Sequence, residues 1–140
     1  MLPGRAAARL ARVVDRAVAD ADLTMPQYRL LVFLSEGQVA ASALADWLSV
    51  SRPAITTLVD GLVAKGLVSR TAVAGDRRRV DHTLTAEGEA ALDRADEAVA
   101  RALESLAEHL PAGKRRRAVE GLELWSHALD EARARYLERS

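Results

Sequence analysis

The stretch Ser51 to Gly66, SRPAITTLVDGLVAKG, limits what this chain can fold into more than any other. It reads as a helix with two opposed faces. Ser51 is a good N-cap, because its hydroxyl can accept a hydrogen bond from an orphan N–H of the first turn. Pro53 falls where a missing N–H costs little. Ile55, Leu58, Val59 and Leu62 recur at helical spacing and form one apolar face. Arg52, Thr56, Thr57, Asp60 and Lys65 supply donors and acceptors to the other. Gly66 then suits the left-handed residue that ends a helix. An aliphatic inner face and a hydrogen-bonding outer face are what a helix needs to lie in a DNA groove.

The flanks extend the pattern. Ser42 to Leu48 (SALADWL) reads as a short helix, with Ser49-Val50 as the turn, so the two helices form a helix-turn-helix. Downstream, Leu67 to Val73 and Arg79 to Thr85 are short, partly alternating strands. Ala74 to Arg78 reads as the turn between them, and three successive arginines begin at Arg77. A hairpin with arginine at its tip is a wing suited to phosphates and the narrow minor groove. The candidate DNA-binding residues are Ser51, Arg52, Pro53, Thr56 and Thr57 on the helix, and Arg70, Arg77 and Arg78 on the hairpin. Arginine can read guanine edges and threonine can meet a thymine methyl, so base discrimination is expected at Arg52, Thr56 and Thr57.

The formal net charge is zero, yet its distribution is uneven. From Ser51 to His82 six basic residues face three acidic ones. From Thr83 onward nine basic residues face twelve acidic ones. A local basic patch, not the total, governs phosphate attraction. The chain's 140 residues suffice for one domain with its own core. No apolar run approaches the ~20 residues of a membrane span, and the charged N-terminus lacks the apolar core of a signal peptide, so a cytoplasmic location without a membrane partner is expected. With no cysteine, disulfides, thiolate metal sites and cysteine redox sensing are excluded. His82, His109 and His127 show no ligand spacing, and no metal or other cofactor is expected.

Four further helices are expected. Gly4 to Asp22 carries Leu10, Val13, Val14, Ala17, Val18 and Ala21 on a broad face. Thr24, with Pro26 and Gln27 after it, caps a helix to about Ser35. Tyr28, Leu31, Val32 and Leu34 look buried there, with Leu30 and Phe33 extending the apolar surface. Thr85 caps a long helix from Ala86 to about His109, with Leu92, Ala95, Val99, Leu103 and Leu106 on one stripe. Pro111 breaks it. A last helix, roughly Ala112 to Arg139, presents Val119, Leu122, Trp125, Leu129 and Tyr136. Its basic run Lys114 to Arg117 reads as a solvated helix start. The terminal helices hold more apolar surface than a small winged domain can cover, and a homodimer interface accounts for the excess.

Three segments resemble the MarR family of winged-helix regulators: LTMPQYRLLVFL, LADWLSVSRPAITTLVDGLVAKGLVSR and GDRRRVDHTLTAEG. The resemblance covers nearly the whole chain. It implies a mainly α (α+β) winged helix-turn-helix, with a DNA-binding part over about 24–85 and dimerisation helices at about 4–22 and 86–139, all within a single 1–140 MarR-like domain. It further implies a homodimer on a pseudo-palindromic double-stranded operator, acting as a repressor released by a small, apolar or aromatic effector. Asp76 occupies the position that orients the wing arginine, and Arg78 the position that enters the minor groove. Four residues depart from the family pattern. Thr57 replaces a larger polar side chain, Gly61 interrupts the helix, His82 takes an aliphatic strand position, and Trp47 takes a charged one. His82 is read as a core histidine or a pH-responsive group, and Trp47 as packing or a pocket wall.

Other function classes fare worse. No Ser-His-Asp set, phosphate-binding glycine loop or metal box supports an enzyme. A winged helix used only for protein contacts has no need of wing-tip arginines beside a polar outer helix face. A metal- or pH-responsive winged-helix repressor remains the variant that keeps the DNA and changes the trigger.

Overall fold

A computed structural model describes residues 2–37 and 51–139. The elements are α1 (Pro3–Asp20), α2 (Met25–Ser35), α3 (Arg52–Ala64), β1 (Val68–Val73), β2 (Asp76–Leu84), α4 (Ala86–Ala107) and α5 (Ala112–Arg139). The helix expected over 42–48, and Trp47 with it, lies outside the described residues. The mainly helical α+β class expected from the sequence is the class observed. Contacts group the chain into two compact units, residues 1–102 and 103–140.

Helix ends in the first unit follow local chemistry. At the start of α2 the Thr24 hydroxyl accepts the Gln27 N–H at 3.3 Å, and the Gln27 side-chain carbonyl accepts the Thr24 N–H at 3.0 Å. This reciprocal pair is the expected capping box. Ser51 caps α3 by accepting the Ala54 N–H at 3.3 Å. Gly66 ends α3 at φ 75°. The Leu67 N–H then reaches the Leu62 carbonyl at 2.9 Å and the Gly66 N–H the Val63 carbonyl at 2.9 Å, which satisfies the last turn.

The end of α1 differs from expectation. The helix stops at Asp20, and Asp22 takes the left-handed conformation at φ 62°. The Leu23 N–H bonds the Val18 carbonyl at 3.1 Å and the Asp22 N–H the Ala19 carbonyl at 3.0 Å. This is the same closure as at Gly66, built on an aspartate. Asp tolerates the left-handed well better than most residues. With no glycine as a stop signal, the apolar periodicity alone carried the expected helix two residues too far. Leu23, the residue just beyond, is buried.

The core of this unit joins Val18, Leu23, Leu30, Leu31, Phe33, Leu34, Ile55, Val59, Leu62, Val68, Leu92 and Ala95. On α2 four residues of a five-residue stretch, Leu30, Leu31, Phe33 and Leu34, are buried. Such a helix is covered on more than one side, and each fully buried Leu or Phe contributes about 1.5–3 kcal/mol. Tyr28 and Val32, expected among the buried set, are half-buried.

Among the described residues the strands form a two-stranded antiparallel sheet running from Val68 opposite Leu84 to Val73 opposite Asp76. At the base of this hairpin Thr85 ties three segments together. Its hydroxyl donates to the Gly66 carbonyl at 2.6 Å and accepts the Gly88 N–H at 3.0 Å, while its own N–H donates to the Leu67 carbonyl at 3.1 Å. Thr85 thus caps α4, as expected, and fastens that cap to the end of α3. The approach is close: a Cβ on Gly88 would lie 2.0 Å from the Leu67 carbonyl oxygen.

In the second unit the basic run does more than solvate a helix start. The Arg115 guanidinium donates to the Glu108 carbonyl at 3.2 Å and the Leu110 carbonyl at 3.3 Å. These carbonyls follow the end of α4, where orphan acceptors attract cations. Arg116 pairs with Glu120 one turn on at 2.7 Å. Val119, Leu122, Trp125, Leu129 and Tyr136 all remain exposed in the single chain.

Gly88→Ala tests the junction. Alanine is the better helix former by about 1 kcal/mol, but its methyl must displace a backbone carbonyl. The clash should win, with a net loss of about 1–3 kcal/mol in chemical denaturation. An unchanged or raised midpoint would show that α4 does not seat against Leu67 this closely.

Candidate nucleic-acid interface

Ser51, Arg52, Pro53, Thr56 and Thr57 are all exposed, while Ile55, Val59 and Leu62 on the opposite face are buried. The two threonines are constrained by their own helix. The Thr56 hydroxyl donates to the Arg52 carbonyl and the Thr57 hydroxyl to the Pro53 carbonyl, each at 3.1 Å. Such bonds to the preceding turn consume the hydroxyl proton. What remains for an incoming surface is a hydroxyl oxygen as acceptor and a methyl group. Arg52 adds a guanidinium at the first position of the helix. Gly61 has open space where a side chain would project, so no close packing explains it.

The hairpin is tighter than its sequence suggests. The chain turns at Ala74-Gly75, with Gly75 at φ 84°, and β2 already begins at Asp76. The expected turn over 74–78 therefore divides into a two-residue turn and a strand. The ladder explains why: Ala72 pairs with Val80 but Val73 pairs with Asp76. Arg77, Arg78 and Arg79 are the extra residues of a bulge on β2. A bulge removes its residues from ladder pairing and re-aims them. The Asp76 carboxylate accepts the Arg78 backbone N–H at 3.0 Å and so holds the bulge closed. Asp76 thus acts on the main chain that carries Arg78. The side chains of Arg77 and Arg78 are exposed.

Arg70, the remaining candidate, forms an ion pair with Asp60 of α3. It ties β1 to the helix beside it. Both side chains are more than one-third exposed, at 38% and 56%, so solvent screening limits the pair to about 1 kcal/mol or less.

Several features beside these elements escaped sequence reasoning. The Lys65 ammonium donates to the Asp22 carbonyl at 3.1 Å and the Gln27 side-chain carbonyl at 3.5 Å. The Tyr28 hydroxyl donates to the Asp96 carboxylate at 2.5 Å, joining α2 to α4. Burial, then the bond to Asp96 and its charge, push the Tyr28 phenol above its ordinary value, so it remains a donor throughout the neutral range. These links bring together residues 43 and 68 positions apart, and no local pattern announces them.

His82 is 5% exposed, in the inward strand position expected of it. It borders an open pocket of about 430 Å³ whose wall includes Leu34, Leu84 and Leu92 together with Glu89 and Asp93. No group of three or more His, Asp or Glu side chains among the described residues is placed to hold a metal ion, and no helix there is long and apolar enough to cross a membrane.

Comparison with known proteins follows the same outline. A family model described as MarR family matches residues 21–79. The HTH-type transcriptional repressor Mb2911 of Mycobacterium bovis is 37% identical over 102 residues, covering 72% of this chain and 73% of that protein. The HTH-type transcriptional repressor YetL of Bacillus subtilis is 29% identical over 89 residues, covering 61% of this chain and 53% of that protein. Among solved structures, wild-type MarR of E. coli in its apo form superimposes with a TM-score of 0.74 at 25% identity, covering 92% of this chain and 96% of that one. A MepR mutant of S. aureus bound to an oligodeoxyribonucleotide shares the fold, with a TM-score of 0.67 at 20% identity over 89% of this chain and 93% of that one.

Proposed function

The chain belongs to the MarR family of DNA-binding transcriptional regulators, and from that membership we propose that it acts as a homodimeric repressor on a pseudo-palindromic operator, released by a small effector. Being a regulator, it is not an enzyme. The observation that carries the proposal is the pairing of an exposed polar helix face with a hairpin whose arginines are bulged out of the ladder. The repressor names of Mb2911 and YetL support the direction of control. The MepR mutant structure bound to an oligodeoxyribonucleotide supports the use of this fold on DNA.

In this reading α3 is the recognition helix. Arg52 reads a base edge, and the methyl groups and hydroxyl oxygens of Thr56 and Thr57 meet their counterparts in the major groove. Arg77 and Arg78 contact phosphates or the minor groove, which confers affinity more than sequence preference. Ser51 and Pro53 shape the start of the helix. Arg70 holds Asp60 and thereby the angle between wing and helix. Arg78→Ala should weaken binding on every duplex and lower the salt slope by about 1 per lost phosphate contact. Arg52→Ala should instead flatten preference at one base pair, by about 1–3 kcal/mol. Gel shifts over a salt series and a panel of single-base operator variants measure both. If the two variants lose affinity in the same pattern, the division of labour is wrong.

One recognition helix per chain reads one half-site, so two must be held about one DNA turn apart, ~34 Å. The exposed Leu122, Trp125 and Leu129 of α5 supply apolar surface for a twofold contact, with Leu10 and Val14 of α1 as further candidates. Leu129→Glu should convert the dimer to monomer in sedimentation and abolish operator protection. A Leu129→Glu protein that stays dimeric would exclude α5 from the interface.

The pocket beside His82 is the proposed effector site. Its leucines suit an apolar or aromatic body, and it lies between α2, β2 and α4, so an occupant can shift the wing. Only differential affinity for two arrangements produces release. Ser35→Trp at the pocket wall should leave DNA affinity within about twofold but abolish release by aromatic compounds that displace the wild-type protein from labelled duplex. Equal release from both proteins would place the effector elsewhere.

A further inference from the structure

We infer that Lys65 is a positioning residue for DNA binding, which transmits the placement of the α1–α2 turn to the recognition helix. The inference rests on the reading of α3 as that helix. Lys65 is the C-cap of α3, immediately before the left-handed Gly66. Its ammonium spans 43 positions of sequence to reach the Asp22 carbonyl. That carbonyl belongs to the one described non-glycine residue with a positive φ, at the close of α1. The second acceptor is the Gln27 side-chain oxygen, which already holds the Thr24 N–H of the α2 capping box. One cation therefore sits across the end of α1 and the start of α2.

The other ties on α3 run elsewhere. Asp60 holds β1 through Arg70, and Gly66 holds the head of α4 through Thr85. Neither of these polar ties reaches the α1–α2 turn, against which α3 otherwise rests through apolar packing that has no directional preference. The Lys65 bonds supply the directional restraint there. The aliphatic stem spans the gap while the ammonium, with three donors, can serve two acceptors at once. Because Lys65 is exposed, its bonds add little to overall stability. Their effect lies in which angle of α3 is populated. A rotation about the C-terminal end acts on Arg52 through a lever arm of about 18 Å at ~1.5 Å per residue, so even a ~5° change of angle moves it by about 1.5 Å. Any shift of α1, which the proposed dimer contact would impose, then reaches the base-reading residues through this link.

The test uses full-length protein and a duplex selected by the wild type from a random pool. Lys65→Met keeps the stem and removes the donors; Lys65→Arg keeps charge and donors. Lys65→Met should bind the selected duplex about fivefold to tenfold more weakly, an effect typical of residues that couple distant sites. It should also discriminate less against duplexes whose half-sites are one base pair further apart. Its melting temperature, dimerisation and salt slope should stay as in the wild type, and Lys65→Arg should recover most of the loss. Unchanged affinity and spacing preference in Lys65→Met would overturn the inference. So would a salt slope lowered by about 1, which marks a direct phosphate contact, or a loss of binding that only tracks a loss of folding. A wild-type protein that selects no duplex at all would instead defeat the reading of α3 as a recognition helix.

Discussion

The hydroxyl of Thr85, 2.6 Å from the Gly66 carbonyl, is the contact from which the winged unit takes its geometry. A helix that ends in a left-handed glycine leaves carbonyls exposed, and a helix that begins after a strand leaves N–H groups exposed. Thr85 answers both needs with one side chain. Its hydroxyl proton goes to the end of α3 and its oxygen accepts from the start of α4. Gly88 lets the two backbones close on each other, since even one Cβ would meet the Leu67 carbonyl. The strands of the wing leave from one side of this knot and return to the other.

Given that anchor, the remaining ties are light and specific. Asp60 to Arg70 sets the wing against the helix, Lys65 sets the helix against the α1–α2 turn, and Tyr28 to Asp96 sets α2 against α4. None needs to be strong. The buried cluster around Leu30, Leu31, Phe33 and Leu62 supplies the bulk of the stability, because apolar burial scales with area and these side chains are almost wholly removed from water. Exposed polar links cannot add much to that sum, but they select among orientations that the non-directional core would tolerate. Along α5 the apolar side chains remain uncovered in the single chain, which makes the state of the second unit depend on what meets it.

Much of this was written locally in the chain. The cap at Ser51, the stop at Gly66 and the capping box at Thr24 each depend on residues within five positions of one another, so their chemistry is readable without a fold. The inward position of His82 followed from strand alternation. The aliphatic face of α3 followed from its period, and the family from the wing and helix motifs together. What the sequence by itself determined was therefore the set of elements among the described residues, most of their ends and many of the side chains they expose. Tertiary structure decided the rest. It moved the wing arginines from a turn into a bulge, because pairing depends on the opposite strand. It turned Arg115 from a surface charge into a cap and Lys65 from a helix-face charge into a strut. The bulge and the Lys65 strut depend on residues that the fold sets opposite them, the Arg115 cap on the break between α4 and α5, and pattern along the chain has no term for distance across it.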